Sequence, residues 1–466
     1  MPNSDDKMDI HSPSFEALSE LADEHPSNYF DVEKDQSKLI AFYLPQFHRV
    51  AENSEWWGPG FTEWNNVSRA KPNFEGHVQP NIPRDLGYYD LGNVETMREQ
   101  ADLARIYGIG GFCFYHYWFS GRRILSTPVD NFLKSDISMD FCLCWANENW
   151  TRTWDGDTKS VLLAQEYADG DAEAFFDSIA DALGDERYIK ISGEPLLLVY
   201  RAKAIPNAGK WFAIWRKRAQ QLGFPGLHIA VVDFYDISHP NEVGANSLVE
   251  FPPHKFNGPQ SRPDVIPKIT NSDFKGGIID YQRVVLQSAL RDVPRFKLFR
   301  GIIPSWDNTP RRQDTPVIVL NSSPRLYGAW LRYLRAYVRS ESPEESGRLI
   351  FVNAWNEWGE GCYLEPDQKN GLSYLEQTLK SSFYRKGADE ESGIDGARKQ
   401  LFDALTHEEG SDPASGKASP AKRRAKLTLY TPSSFSQKIA FALRSRPLML
   451  KIAKFVYVAS LRLRGR

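Results

Sequence analysis

The sequence predicts an α/β fold, a (β/α)8 barrel of the TIM type with long loops after its strands, and three observations predict it. Eight apolar runs of strand length alternate with amphipathic stretches at helical spacing between residues 39 and 352, the pattern of parallel strands joined by helical crossovers. At the C-terminal end of each run apolar residues give way to polar and aromatic ones, and in a barrel these eight ends meet on one face, where catalysis sits in this fold. No Gly-x-Gly-x-x-Gly follows the first run, which counts against a doubly wound nucleotide-binding sheet.

The first run, 39–44, ends in Pro45-Gln46-Phe47-His48 and opens into a loop of about 40 residues, 49–89, that carries Trp56-Trp57-Gly58-Pro59-Gly60-Phe61-Thr62-Glu63-Trp64. Loops that long are functional or disordered, and this one is too aromatic for disorder, so it is expected to wall a site. A helix over 93–107 leads to the second run, 110–114, which ends in Tyr115-His116-Tyr117-Trp118. The third, 141–143, continues into Trp145-Ala146-Asn147-Glu148-Asn149-Trp150. Helices over 172–183 and 210–222 flank the fourth run, 196–199, with Tyr200-Arg201 at its end; the fifth, 228–232, reaches Asp233. The sixth and faintest, 247–249, reaches Glu250 with His254 beyond it, and a helix over 281–290 follows. The seventh, 296–303, gives way to Ser305-Trp306-Asp307-Asn308, and after a helix over 325–338 the eighth, 349–352, runs into Trp355-Asn356-Glu357-Trp358-Gly359-Glu360-Gly361.

That last segment sets two carboxylates three residues apart among indoles. Making or breaking a glycosidic bond needs two carboxyl groups, one to give a proton to the bridging oxygen and one to act as nucleophile or base, and indole faces pack against sugar rings. Glu357 and Glu360 are therefore the expected catalytic pair, with a structural turn of paired glutamates and core tryptophans as the competing reading. The expected substrate-binding residues are His48, Trp57, Glu63, Trp64, His116, Tyr117, Trp118, Trp145, Asn147, Glu148, Trp150, Asp233, Glu250, His254, Trp306, Asn308, Trp355, Asn356 and Trp358, most of them at strand ends. Glu148 is the runner-up acid. His48, His116 and His254 are not at metal-ligand spacing, so no metal and no cofactor are expected.

Four cysteines, Cys113, Cys142, Cys144 and Cys362, lie in or beside apolar runs without CxxC spacing, which predicts buried reduced thiols and a cytoplasmic compartment. Residues 1–37 are polar, acidic, without a basic-then-apolar leader, and expected to be disordered; no run of 18 apolar residues occurs. The barrel is expected over 38–385, a Gly-, Ser- and Pro-rich flexible linker over 386–424 and a basic tail over 425–466. The net charge of −3 hides a split, because 13 Lys and Arg and no acid follow Asp412, whereas the preceding part carries 44 basic against 60 acidic residues. An acidic body argues against nucleic acid as partner. The tail mixes apolar residues with cations over 435–463, which predicts an amphipathic helix on an anionic membrane surface, with docking on the acidic barrel as the competing expectation.

Taken together, Phe42-Tyr43-Leu44-Pro45-Gln46-Phe47-His48, Gly60-Phe61-Thr62-Glu63-Trp64, Tyr115-His116-Tyr117-Trp118, Trp145-Ala146-Asn147-Glu148 and Trp355-Asn356-Glu357-Trp358 resemble the WbsX-type glycosyltransferase family, also described as a glycoside hydrolase family 99-like domain. The resemblance covers residues 39–384. It implies a barrel acting on an oligosaccharide or a sugar donor and acceptor, in bacterial O-antigen or lipopolysaccharide synthesis. From the family 99 hydrolases it implies that Glu357 deprotonates the sugar 2-hydroxyl and that Glu360 is general acid and then base. Gly359 departs from the pattern, since those hydrolases commonly carry a histidine there. A retaining hydrolase or transglycosidase of endo-mannosidase type, and a non-catalytic carbohydrate-binding protein, stand as alternatives.

Overall fold

The computed structural model describes residues 32–151, 161–342, 344–385 and 388–406. Its centre is a closed barrel of eight parallel strands: β1 Lys38–Tyr43, β2 Gly111–Phe119, β3 Asp140–Trp145, β4 Glu194–Val199, β5 His228–Val232, β6 Ser247–Val249, β7 Leu298–Ile302 and β8 Leu349–Val352. Each pairs with the next, and β8 pairs with β1 through Ile350↔Leu39 and Phe351↔Ile40, which leaves no open edge. Every expected run is a barrel strand, the three-residue β6 included. Such runs are largely apolar because one face fills the barrel and the other meets the surrounding helices.

The helices are α1 Val94–Ile106, α2 Thr127–Lys134, α3 Asp171–Gly184, α4 Ala208–Gln221, α5 Tyr281–Leu290, α6 Pro324–Glu341, α7 Ser373–Lys380 and α8 Ala388–Thr406. Local chemistry sets several of their starts: Asn93, Asp280 and Ser323 each accept a backbone N–H of the first turn, and Pro324 takes the first position of α6, where a missing N–H costs nothing.

Two expectations at the ends of the barrel are corrected. Val32–Lys34, inside the stretch expected to be disordered, is a strand paired antiparallel with Phe383–Arg385. Residues 388–406, expected to be linker, form α8: Ile394, Ala397, Leu401, Phe402 and Leu405 recur at helical spacing, and Leu401 is fully buried. Abundant Gly and charge in the same stretch mask this apolar face. The rest of the expected linker and the whole tail, 425–466, lie outside the described residues. All four cysteines are buried and unbridged. Among the described residues, no helix is long and apolar enough to cross a membrane.

The loop after β1 carries the short helices Ala51–Trp57 and Trp64–Arg69 and lies against the loop after β7. His77 Nε2 and Gln79 Nε2 both meet Asp307 Oδ2, at 2.7 and 2.5 Å, and Phe74 forms a small second core with Ile278 and Ile318.

Candidate active site

Beyond β8 the chain is held in place before the first glutamate. Trp355 N–H donates to the carbonyl of Phe42 at 2.8 Å, and the Asn356 amide clamps Leu44, accepting its N–H at 2.7 Å and donating to its carbonyl at 3.0 Å. The segment therefore runs along the end of β1. Trp358 lies flat on Tyr363, ring centroids 3.7 Å apart, and its indole N–H donates to Glu365 at 2.5 Å. The carbonyl of Glu360 accepts the N–H of Asp307 at 2.7 Å, which ties the motif to the loop after β7.

That loop supplies Arg311, and one guanidinium meets three carboxylates. Its Nε pairs with Glu63 Oε1 at 2.8 Å, its Nη2 with Glu357 Oε2 at 2.9 Å and its Nη1 with Glu360 Oε1 at 2.8 Å. Exposure grades across the cluster: the side chain of Glu63 is 0% exposed, that of Glu357 6% and that of Glu360 21%. A single cation cannot balance three buried carboxylates, so Glu357 and Glu360 retain protons above the usual carboxylate range. Burial, opposed by Arg311 and assisted by Glu360 and Glu63, pushes Glu357 up to about 8. Burial likewise raises Glu360, with Arg311 pulling against it and Glu63 adding to it. For Arg311, burial opposes the charged form, and the three carboxylates outweigh it. Glu357 and Glu360 titrate together rather than singly.

Gly359 makes the arrangement sterically feasible. A Cβ there would stand 2.0 Å from Glu63 Oε1 and 2.8 Å from Arg311 Nε. Gly359→Ala is expected to force that ion pair apart and to cost about 1–3 kcal/mol, the usual penalty of overpacking a filled interior. Urea unfolding measures it, and a variant as stable as the parent would sink this account of the glycine.

The cluster borders a cavity of about 960 Å³, at the upper end of the roughly 300–1,000 Å³ common for small-molecule sites. Of the expected residues, Trp57, Asn147, Glu148, Trp150, His254, Trp306, Asn308 and Glu360 line it. They come from the loops after β1, β3, β6, β7 and β8, while Tyr200 and Tyr235 add walls after β4 and β5. Asn147 is already engaged, accepting the Arg201 N–H at 2.7 Å and donating to the Arg201 carbonyl at 3.0 Å, so it joins β3 to β4. The Asn308 amide oxygen accepts the N–H of Val317 at 2.7 Å. Glu148 faces the open cleft at 53% exposure, 3.8 Å from Arg201 Nε; crowding by the cleft walls raises its carboxyl, Arg201 opposes this and Glu360 adds to it. Burial lowers His254 to about 4, so its ring is neutral.

Other expected residues stand elsewhere, and strand alternation explains the largest group. On β2, Tyr115 and Tyr117 face the barrel interior, whereas His116 and Trp118 point outward and pack on Phe175 of α3. Trp145 also points outward, stacking on Phe175 and on Trp211 of α4. Glu250 points away from the barrel axis, binding Arg300 at 2.8 Å and Arg291 at 2.7 Å, and Arg300 in turn bonds Ser288 of α5. These four are corrected from sugar contacts to parts of the strand–helix layer. Asp233 is buried between Lys255 and Arg291. Trp64, Trp355 and Trp358 are core indoles, His48 is buried with Nδ1 on the Pro45 carbonyl, and Asn356 is spent on Leu44. Tyr117 stacks behind Trp150 at 5.6 Å. Glu63 serves Arg311. Arg311 was missed, its only sequence signal being the Arg311-Arg312 pair shortly after Trp306-Asp307-Asn308.

The chain is 42% identical over 344 residues, 74% of its own length, to the protein named "Uncharacterized protein WxcX" in two strains of Xanthomonas campestris pv. campestris, and it spans about half (49%) of that relative's length. Among solved structures, the GH99 endo-alpha-mannosidase from Bacteroides thetaiotaomicron is 14% identical with a TM-score of 0.46, covering 79% of this chain and 99% of that one. A glycoside hydrolase-like protein is 15% identical with a TM-score of 0.45, covering 78% and 99%. The profile of the family described as Glycosyltransferase WbsX matches residues 39–378, nearly the whole barrel and every element of the site, so the chain belongs to the WbsX glycosyltransferase family.

Proposed function

We propose that this barrel transfers a glycosyl unit in bacterial surface polysaccharide synthesis, of the O-antigen or lipopolysaccharide kind, with Glu357 and Glu360 as the working carboxyls. One observation carries the reading: both glutamates meet on Arg311 at the C-terminal mouth of the barrel, and Glu360 opens into a cavity walled by Trp57, Trp150 and Trp306. Glu360 is placed to exchange a proton with a bound sugar, and Glu357, deeper, assists from behind it. Transglycosylation would use the same pair with an unactivated glycan as donor, and retaining hydrolysis would in addition take water as the acceptor. The deciding experiment incubates the full chain with nucleotide sugars, lipid-linked acceptors and mannosides and reads products by mass spectrometry. Transfer predicts a lengthened acceptor only when an activated donor is present. Release of reducing sugar without such a donor would favour the hydrolase, and binding without turnover a carbohydrate-binding protein.

The tail is proposed to hold the enzyme on an anionic, cytoplasm-facing membrane, near a lipid-linked substrate. Each cation near such a surface contributes about 1 kcal/mol, so the six within 435–463 suffice for reversible attachment. Full-length protein is expected to float with anionic vesicles and to leave them as salt rises. Deleting residues 425–466 should abolish flotation, and undiminished flotation after that deletion would remove the tail from the account.

A further inference from the structure

We infer that the cavity takes a diphosphate-bearing ligand, a glycosyl diphosphate, with a phosphate oxygen on Arg312, in the cavity that Glu360 also lines. This rests on the transfer reading above and names its donor class. The charged groups on the cavity wall are otherwise paired: Glu148 lies near Arg201, Arg201 pairs with Asp236 at 3.3 Å, and Arg311 binds Glu63, Glu357 and Glu360. Arg312 is exposed on the same wall, with no carboxylate within 4 Å of its guanidinium among the described residues. Its backbone is fixed, because its N–H donates to the carbonyls of Asn308 at 3.0 Å and Thr309 at 3.2 Å. Arg312 and Glu360 line the same cavity, so an anion held on Arg312 shares that space with the reacting carboxyl.

A neutral glycan gives such a cation nothing to pair with. A guanidinium offers a planar fork of donors that fits phosphate oxygens two at a time. Because the glutamate cluster is partly protonated and shares Arg311, an approaching phosphate meets less negative charge than three free carboxylates would present. In transfer, the bond from the anomeric carbon to the phosphate oxygen breaks and its electron pair leaves with the diphosphate on Arg312. The acceptor hydroxyl oxygen forms the new bond to that carbon, and its proton passes to Glu360.

Quenching of tryptophan emission from Trp57, Trp150 and Trp306 reads binding directly. The full chain is titrated with inorganic pyrophosphate, a nucleoside diphosphate, farnesyl diphosphate and glucuronate. Saturable quenching by pyrophosphate is expected, weakened by salt, with Arg312→Gln raising its Kd about 10-fold or more, the loss of a charge-assisted bidentate contact. Whichever of the nucleoside and farnesyl diphosphates binds more tightly than pyrophosphate identifies the carrier. Glu357→Gln and Glu360→Gln should retain this binding, which separates failure of the donor site from failure of the proposed catalytic pair. Equal affinity in Arg312→Gln, no diphosphate binding by the parent, or quenching by glucuronate alone would each overturn the inference.

Discussion

Arg311→Met is expected to destabilise the fold by about 3–5 kcal/mol at neutral pH and to do so in a pH-dependent way. Removing one partner from a buried ion cluster leaves the others uncompensated, and that penalty is typically of this size. Here it leaves Glu63, fully buried, and Glu357, nearly so, without their cation. The sign of the pH effect follows from protonation. Glu357 already titrates near 8 in the folded chain, above the roughly 4.3 of an unfolded glutamate, and losing Arg311 moves it further up. Between those values both folded proteins bind more protons than the unfolded chain and lose stability alike as pH rises; above about 8 the parent's Glu357 ionises and its loss ends while the variant's continues, so the deficit opens there. Urea unfolding should therefore show a deficit in Arg311→Met that is largest at and above pH 8 and shrinks toward pH 5. Adding Glu63→Gln should recover part of it, because one buried anion is gone. A variant within about 1 kcal/mol of the parent at every pH would mean the guanidinium is not what holds the cluster.

The barrel was legible because its evidence is local and repeated. Each strand is an apolar run, even the three residues 247–249, and helix-period stretches lie between them. What escaped depends on direction and on distance along the chain. His116 and Trp118 stand at the end of a strand as Tyr115 and Tyr117 do, but the pleat sends the two pairs to opposite sides, and only Tyr115 and Tyr117 point into the barrel. Counting parity from Phe42, which meets Phe251 and Phe351 inside the barrel, would have separated them. Arg311 could not be reached that way. Its three partners come from residues 63, 357 and 360, and nothing near 311 records that they converge. Trp355 and Trp358 show a third limit: an indole beside a carboxylate has the same sequence signature whether it packs on a sugar or, as these do, against Phe112 and Tyr363.

Glu360→Gln is expected to lower turnover about 100- to 10,000-fold while leaving glycan affinity nearly unchanged, the range that loss of acid–base catalysis alone produces. Glutamine keeps the shape and most hydrogen bonds of the carboxyl but cannot exchange its proton, and binding rests on the tryptophan walls instead. Glu357→Gln should fall as far for a different reason, losing the carboxyl whose ionised form assists at the anomeric centre. The pH profile separates a working carboxyl from a merely structural one. Because the cluster titrates as a unit, the parent should show a limb in kcat/KM near pH 8 that belongs to the group rather than to one residue. Glu63→Gln touches no substrate, yet it removes a neighbouring negative charge that raises both Glu357 and Glu360, so it should move that limb to lower pH while turnover persists. Full turnover in both Glu357→Gln and Glu360→Gln would exclude the pair and turn attention to Glu148, the other carboxyl exposed on the cavity wall with a raised titration. Lost turnover with an unshifted limb in Glu63→Gln would keep the pair but sever it from Glu63, leaving Arg311 to set the protonation of the two glutamates by itself.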